Sequence, residues 1–427
     1  MNKELKVSFE ILKKIYLEKS FVSIELNKYI QTTSDISVPT VTKIVYGVLE
    51  KDISLEYFIS KYTSKLPKKE ILILLKIVAY VSKALSSIPH FALVNEIVNI
   101  AKSVDKNQAG FVNAVSKKLI ANDIVLPSKK NEIKYLSVKY NFPEWVIKEL
   151  LKSHNLAFVT DLISKELSTL THIRLSGEIT SSEFEEKLKN MNIHFEKSLY
   201  DFTYYVDYHK LLKTELMKNI VVQGLPSIIT ANVLADKKGK ILDVCSAPGG
   251  KSVYLASMGH DVYSCDIHSH RVGLIKKYAE SCGVKLKTFV QDATKLNDAW
   301  IEKFDYVLCD VPCSNLGVTR KKPDVFLNRK ESDIDTIAGL QLQILENSAN
   351  YVKRGGILQY STCTIIDKEN KDVINKFLKK HKDFELTEIK VDGIDITNDN
   401  NMYTFYPNLT NTEGFFIGRL KRLWQFF

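Results

Sequence analysis

Apolar residues recur at three- and four-residue spacing through the front of the chain. The pattern predicts helices at Val7–Tyr16, Val41–Leu49, Ile71–Leu85 and Val94–Ala101. No run there alternates as a strand does, so residues 1–130 read as an all-α domain. Leu126-Pro127-Ser128-Lys129-Lys130-Asn131 reads as a linker. Residues 131–236 are mixed: a helix at Pro143–Ser153, a strand at Thr171–Leu175, a helix at Ser181–Met191 and an aromatic strand at Phe202–Tyr208. This stretch is expected to form a small α+β domain. From Lys240 the period changes to short unbroken apolar runs, Ile241–Cys245, Asp261–Asp266, Lys287–Gln291, Tyr306–Asp310 and Ile357–Ser361, each expected as a buried parallel strand. Helices at Lys251–Met258, Arg271–Cys282 and Thr336–Val352 fill the gaps, so residues 237–427 predict a doubly wound α/β domain with its ligand at the carboxyl ends of the strands. Phe384–Val391 and Gly414–Leu420 suit a closing antiparallel hairpin.

Charge adds a partner class. The chain carries a formal +10, and residues 1–150 hold 23 Lys and Arg against 15 Asp and Glu, which leaves a surplus of only 2 for the rest. A basic front implies a polyanion, although solvated lysine-rich helix faces produce the same imbalance. All six cysteines lie at or beyond Cys245, in no pattern that fits a disulfide framework or zinc. Reduced thiols, no metal and a cytoplasmic location are the expectation. The start, Met1–Lys6, lacks a signal peptide's apolar core. The longest apolar run, Ile71–Val81, is interrupted by Lys76 and too short for a membrane span.

The chemistry lies in three places. Ser246-Ala247-Pro248-Gly249-Gly250-Lys251 follows a strand and opens a helix, so small residues admit a ligand close to the backbone and to free N–H donors. The turn is neither G-x-G-x-x-G nor a Walker loop, which weakens a nicotinamide-dependent oxidoreductase. Asp266 ends the second strand, where it can accept from ribose hydroxyls, and Asp292 follows the third, where it can hold a base's exocyclic amine; strand-end aspartates also serve as plain caps. Two thiols, Cys313 in Asp310-Val311-Pro312-Cys313 and Cys363 in Ser361-Thr362-Cys363-Thr364, each follow a strand in a tight polar turn. Carbon-5 of cytosine is a poor nucleophile until a thiolate adds at carbon-6, and Asp310 can stabilise that adduct. Cys265, Cys282 and Cys309 read as small packed hydrophobes.

The blocks Cys245–Ser252, Asp310–Cys313 and Ser361–Thr364 resemble the RNA cytosine-5 methyltransferases that use S-adenosylmethionine. Further matches are Gly317-Val318 with Arg320, Pro323-Asp324, Glu369-Asn370 and Glu413-Gly414-Phe415-Phe416. The resemblance implies that Cys363 is the nucleophile and Cys313 assists product release. It further implies that Cys245, Ser246, Ala247, Pro248, Gly249, Gly250, Lys251, Asp266, Asp292 and Asp310 line the cofactor. At the front, Ile44–Leu49, Ala92–Val98 and Gly110–Val115 resemble the NusB-type RNA-binding helical domain, and Pro143-Glu144-Trp145 and Val222-Gln223 support the middle. The combination is similar to the RsmB (Sun) family, which implies a Rossmann-like catalytic domain, a monomer, and 5-methylcytosine formation in small-subunit ribosomal RNA. The chain departs from the family at Gly224–Ser227, Arg174-Leu175-Ser176, Val311 and Asn315, which stands where a small glycine is usual.

Arg320, Lys321 and Lys322 form a basic cluster expected to engage RNA phosphates, with a solvated loop as the plain alternative. Tyr204, Tyr205 and Tyr208 suit either base stacking or packing. Two other functions fit parts of the chain: a non-catalytic RNA-binding assembly or antitermination factor, and the same chemistry on transfer RNA.

Overall fold

The structure is a computed structural model that describes residues 2–32, 36–177 and 179–424. It falls into two compact units, Met1–Ser164 with Thr319–Glu331, and Lys165–Val318 with Ser332–Phe427.

The first unit is helical. Helices Val38–Glu50, Lys69–Ala84, His90–Val104 and Ala109–Ala121 bury Ile44, Val48, Leu74, Val78, Ile97 and Leu119 in one core. Helices Asn2–Glu18, Val22–Thr32 and Asp52–Ser60 join them. Gly47 allows a close helix approach, since a β carbon there would lie 1.9 Å from the Tyr80 ring. Lys76, the interruption in the apolar run, is 1% exposed. It pairs with Asp52 at 2.6 Å and Glu56 at 2.8 Å, which is how a buried ammonium is tolerated. Helices Glu132–Tyr140, Glu144–Leu150 and Leu156–Ser164, expected in the intermediate domain, also belong to this unit. Asn141, left-handed at φ 58°, caps the first of them and accepts the buried Ser54 N–H at 2.9 Å. No helix among the described residues is long and apolar enough to cross a membrane.

The second unit holds two sheets. β1 (Thr171–Leu175), β2 (Phe195–Lys197), β3 (Thr203–Val206) and β4 (Ile220–Val222) form an antiparallel sheet in the order β2-β3-β1-β4. Helix Ser181–Asn190, opened by a Thr180/Glu183 capping box, packs Phe184 and Leu188 on it. Tyr204 is wholly buried there, so it packs and stacks on no base; Tyr205 is half-buried against His172.

The large sheet contains β5 (Lys240–Asp243), β6 (Asp261–Asp266), β7 (Lys287–Val290), β8 (Phe304–Asp310), β9 (Val352–Thr362), β10 (Phe384–Leu386), β11 (Thr397–Asp399), β12 (Met402–Phe405) and β13 (Phe415–Arg422). Its order is β11-β12-β13-β9-β8-β5-β6-β7, with β10 also on β13. β5 to β9 are parallel, as their apolar runs predict, but β7 is not the buried strand expected: it lies at the sheet edge with Lys287 and Val290 exposed. The expected antiparallel pairing of the tail is present between β10 and β13, but it is only part of the arrangement: β13 also runs antiparallel to β9, and β12 and β11 extend the sheet. β10 is a three-residue edge piece that ends at Leu386, short of the expected Val391. The second half of β9 is buried on both faces, with Leu358 and Tyr360 in one core cluster and Ile357 in another, while β8 and β13 hydrogen-bond its two edges; nothing in its own pattern names the second neighbour. The winding direction reverses between β5 and β8, which places a crevice at their carboxyl ends.

Candidate active site

Five strands deliver the candidate residues to one edge. The turn after β5 places Gly249 at φ 109°, a conformation that favours glycine, at the N-cap of helix Gly250–Ser257. A β carbon there would also lie 3.3 Å from Ile275. The Ser246 hydroxyl donates to the Cys265 carbonyl at 2.9 Å and so braces the turn against β6. Cys245 and Ala247 are half-buried, and Pro248 is exposed. Asp266, 4% exposed, ends β6; it accepts the His268 N–H at 3.0 Å and faces Arg271 at 3.4 Å. Asp292 follows β7, and the Thr294 hydroxyl (2.6 Å) and N–H (3.0 Å) hold its carboxyl below the usual range.

Asp243, at the end of β5, is 1% exposed, and burial pushes its carboxyl up to about 7. The Ser252 hydroxyl donates to one oxygen at 2.7 Å, while no full-geometry hydrogen bond reaches the other among the described residues. A glycine turn, a helix N-terminus and an acid closing the neighbouring strand fit an adenosyl cofactor with a charged amino-acid end. Residues 245–251 with Asp266, Asp292 and Asp310 are the groups that would hold it.

Asp310 and Ser361 are register partners on β8 and β9, and the Ser361 hydroxyl donates to Asp310 at 2.8 Å. Lys251 reaches across from the β5 turn to Asp310 at 2.6 Å, with its ammonium 5.2 Å from the Phe415 ring centroid. Sequence reasoning missed this pair, since nothing local links residues 59 apart.

The two strand-end thiols meet. Cys313 Sγ lies 3.2 Å from Cys363 Sγ, and Cys363 lies 2.9 Å from Asn315 Oδ1. Cys313 is 6% exposed. Its hydrogen bond to Cys363, then burial, then the charge of Cys363 and last that of Glu369 push its thiol well up. Gly317 and Gly414 cross beneath: Gly317 N–H donates to the Cys363 carbonyl at 3.0 Å, and Gly414 N–H to the Gly317 carbonyl at 2.8 Å. Cys265 and Cys309 are buried with thiols pushed up by burial, as packed cysteines are; Cys282 is half-buried.

The basic cluster divides. Residues 319–331 belong to the helical unit, where Leu327 packs on the core and Asp324 accepts the Val22 N–H at 3.3 Å. Arg320 donates to the Ile163 carbonyl and stands 5.3 Å over the Phe142 ring, so its guanidinium tethers this segment. Lys321 and Lys322 are exposed.

Comparison with known proteins decides the family. A profile described as 16S rRNA methyltransferase RsmB/F matches residues 231–421, and the NusB family matches residues 2–120. A Bacillus subtilis strain 168 protein, probable ribosomal RNA small subunit methyltransferase B, is 30% identical over 97% of this chain and 98% of its own length. The chain belongs to the RsmB/F family. Like other RsmB/F proteins, it is an S-adenosylmethionine-dependent RNA methyltransferase, with a NusB domain at its front. The crystal structure of PH0851 has the same fold, with a TM-score of 0.82 at 22% identity over 99% of both chains. A Pyrococcus horikoshii tRNA (cytosine(72)-C(5))-methyltransferase is 34% identical over 47% of this chain and 52% of its own. Membership of RsmB/F removes the non-catalytic reading and the oxidoreductase.

Proposed function

We propose that the protein methylates carbon-5 of a cytosine in small-subunit ribosomal RNA through a covalent adduct with Cys363. The observation that carries this reading is the pair of thiols 3.2 Å apart at the ends of β8 and β9, beside Asp310. The Cys363 thiolate adds to carbon-6 of the ring, and the displaced electron pair makes carbon-5 nucleophilic. S-adenosylmethionine, when bound, supplies the electrophilic methyl group that carbon-5 takes. Asp310 donates a proton to ring nitrogen-3 as negative charge develops there, and Lys251 and Ser361 stabilise the carboxylate that this leaves. The carbon-5 proton then leaves to a base, the carbon-6–sulfur bond breaks and the Cys363 thiolate is expelled, with Cys313 assisting. A stacked cytosine hides the face a thiolate must attack, so the base is presented single-stranded or flipped.

The test is incorporation of labelled methyl into small-subunit ribosomal RNA by wild type, Cys363→Ala and Cys313→Ala. The expected outcome is label on cytosine carbon-5 in wild type, none in Cys363→Ala, and a covalent protein–RNA complex in Cys313→Ala. Full turnover by Cys363→Ala would overturn the mechanism. Label confined to transfer RNA would keep the chemistry and change the substrate, the outcome for which the Pyrococcus horikoshii relative is a precedent.

A further inference from the structure

Glu369 is wholly buried, and the reaction above gives it no role. It ends the 3-10 turn Asp367–Glu369, shortly after Cys363. Its Oε2 accepts the Ser314 N–H at 2.8 Å and Nε2 of Gln341 at 3.0 Å, and Gln341 also donates to the Pro312 carbonyl at 3.0 Å. Pro312 and Ser314 flank Cys313. Its Oε1 accepts from the Thr364 hydroxyl at 3.4 Å, and Thr364 directly follows Cys363. The Ser314 and Thr364 hydroxyls are 2.9 Å apart. One carboxylate therefore touches both cysteine turns, whose thiols are 50 residues apart in the chain.

Two thiolates at this separation repel, so the pair gives up one proton before the other. Which thiol gives up its proton first decides which one attacks. We propose that Glu369 is the positioning residue that makes the thiols unequal: it holds the two turns together and sets its charge against Cys313, so that Cys313 keeps its proton and Cys363 is left as the attacking thiol. The inference rests on the reading that Cys363 attacks. Among the described residues, the Glu369 charge acts on Cys313 and on Tyr360, whose hydroxyl donates to the Glu369 backbone carbonyl at 2.5 Å. Burial raises the Glu369 carboxyl, and the Ser314, Gln341 and Thr364 donors oppose that rise. The same charge is among the causes that hold the Cys313 thiol up.

The test is alkylation of the full-length protein with iodoacetamide from neutral to alkaline pH, with Cys313 and Cys363 followed separately by mass spectrometry. In Glu369→Gln, Cys313 is expected to react about tenfold faster at neutral pH, the equivalent of one pKa unit. kcat should fall while KM for S-adenosylmethionine stays, and Glu369→Asp, which keeps the charge, should restore the order of reaction. Thr364→Val cuts only the Cys363 arm; it should lower kcat and leave the Cys313 profile as in wild type, and it serves if Glu369→Gln does not fold. Wild-type alkylation profiles in Glu369→Gln, or an undiminished kcat in Thr364→Val, would overturn this inference alone. Methylation by Cys363→Ala would overturn it together with the adduct reading.

Discussion

Asn315 has a φ of 64°, the left-handed region that glycine occupies freely and asparagine tolerates. It does what a glycine would do for the backbone and adds an amide oxygen 2.9 Å from the Cys363 thiol, so this departure from the family pattern lies at the reaction centre. Asp243 makes a testable statement at the same scale. Its folded-state carboxyl is raised from 3.8 to about 7, so the folded protein binds its proton more tightly than the unfolded chain does. That contribution is complete below about pH 4 and is lost as pH rises through about 7. At about 1.4 kcal/mol per unit, the loss is of the order of 4 kcal/mol. Melting temperatures of the cofactor-free protein should show Asp243→Asn gaining on wild type from acid to neutral pH. A constant difference would contradict this.

At the scale of elements, the site depends on two turns crossing at glycine. A β carbon on Gly317 would lie 2.2 Å from the Gly414 carbonyl oxygen and 2.9 Å from that of Cys363, contacts only backbone movement can relieve. Gly317→Ala is expected to cost about 3 kcal/mol in urea unfolding and to lower methyl transfer at least tenfold, since the Cys363 turn must shift. A folded, fully active Gly317→Ala would show that the crossing does not hold the thiols. β9 is the central support: its parallel pairing with β8 sets Asp310 beside Ser361, and its antiparallel pairing with β13 brings Phe416 opposite Thr362, next to Cys363. Helix Asp333–Ala349 contributes Gln341, a residue with no local signature of function.

At the scale of the molecule, the segment after the Pro-Cys turn is shared property. Residues 319–331 leave the catalytic unit, pack in the helical unit through Leu327 and Arg320, and return. Lys321 and Lys322 are exposed on this segment, and we propose them as phosphate contacts. Lys321→Ala with Lys322→Ala should weaken RNA binding and flatten its log–log salt dependence by about 1.4, at roughly 0.7 for each single-strand phosphate contact. An unchanged slope would remove them from the interface. Arg320→Ala belongs to a different class and should loosen the helical unit itself, read as a lower melting temperature. Local pattern was enough for the helical front and the five parallel strands, and it picked out the glycine turn and the two strand-end thiols that the proposed reaction uses. Each is a property of near neighbours: a periodicity, a turn composition, a residue placed just past a strand. Packing settled what local pattern could not: residues 132–164 join the front, β13 pairs with β9 as well as with β10 and β12, and Arg320 bonds the Ile163 carbonyl. It also paired Lys251 with Asp310 and brought Glu369 to both cysteine turns. These depend on which faces bury against each other and which charges must be neutralised once buried, and such partners lie tens to hundreds of residues apart, where no local pattern records them.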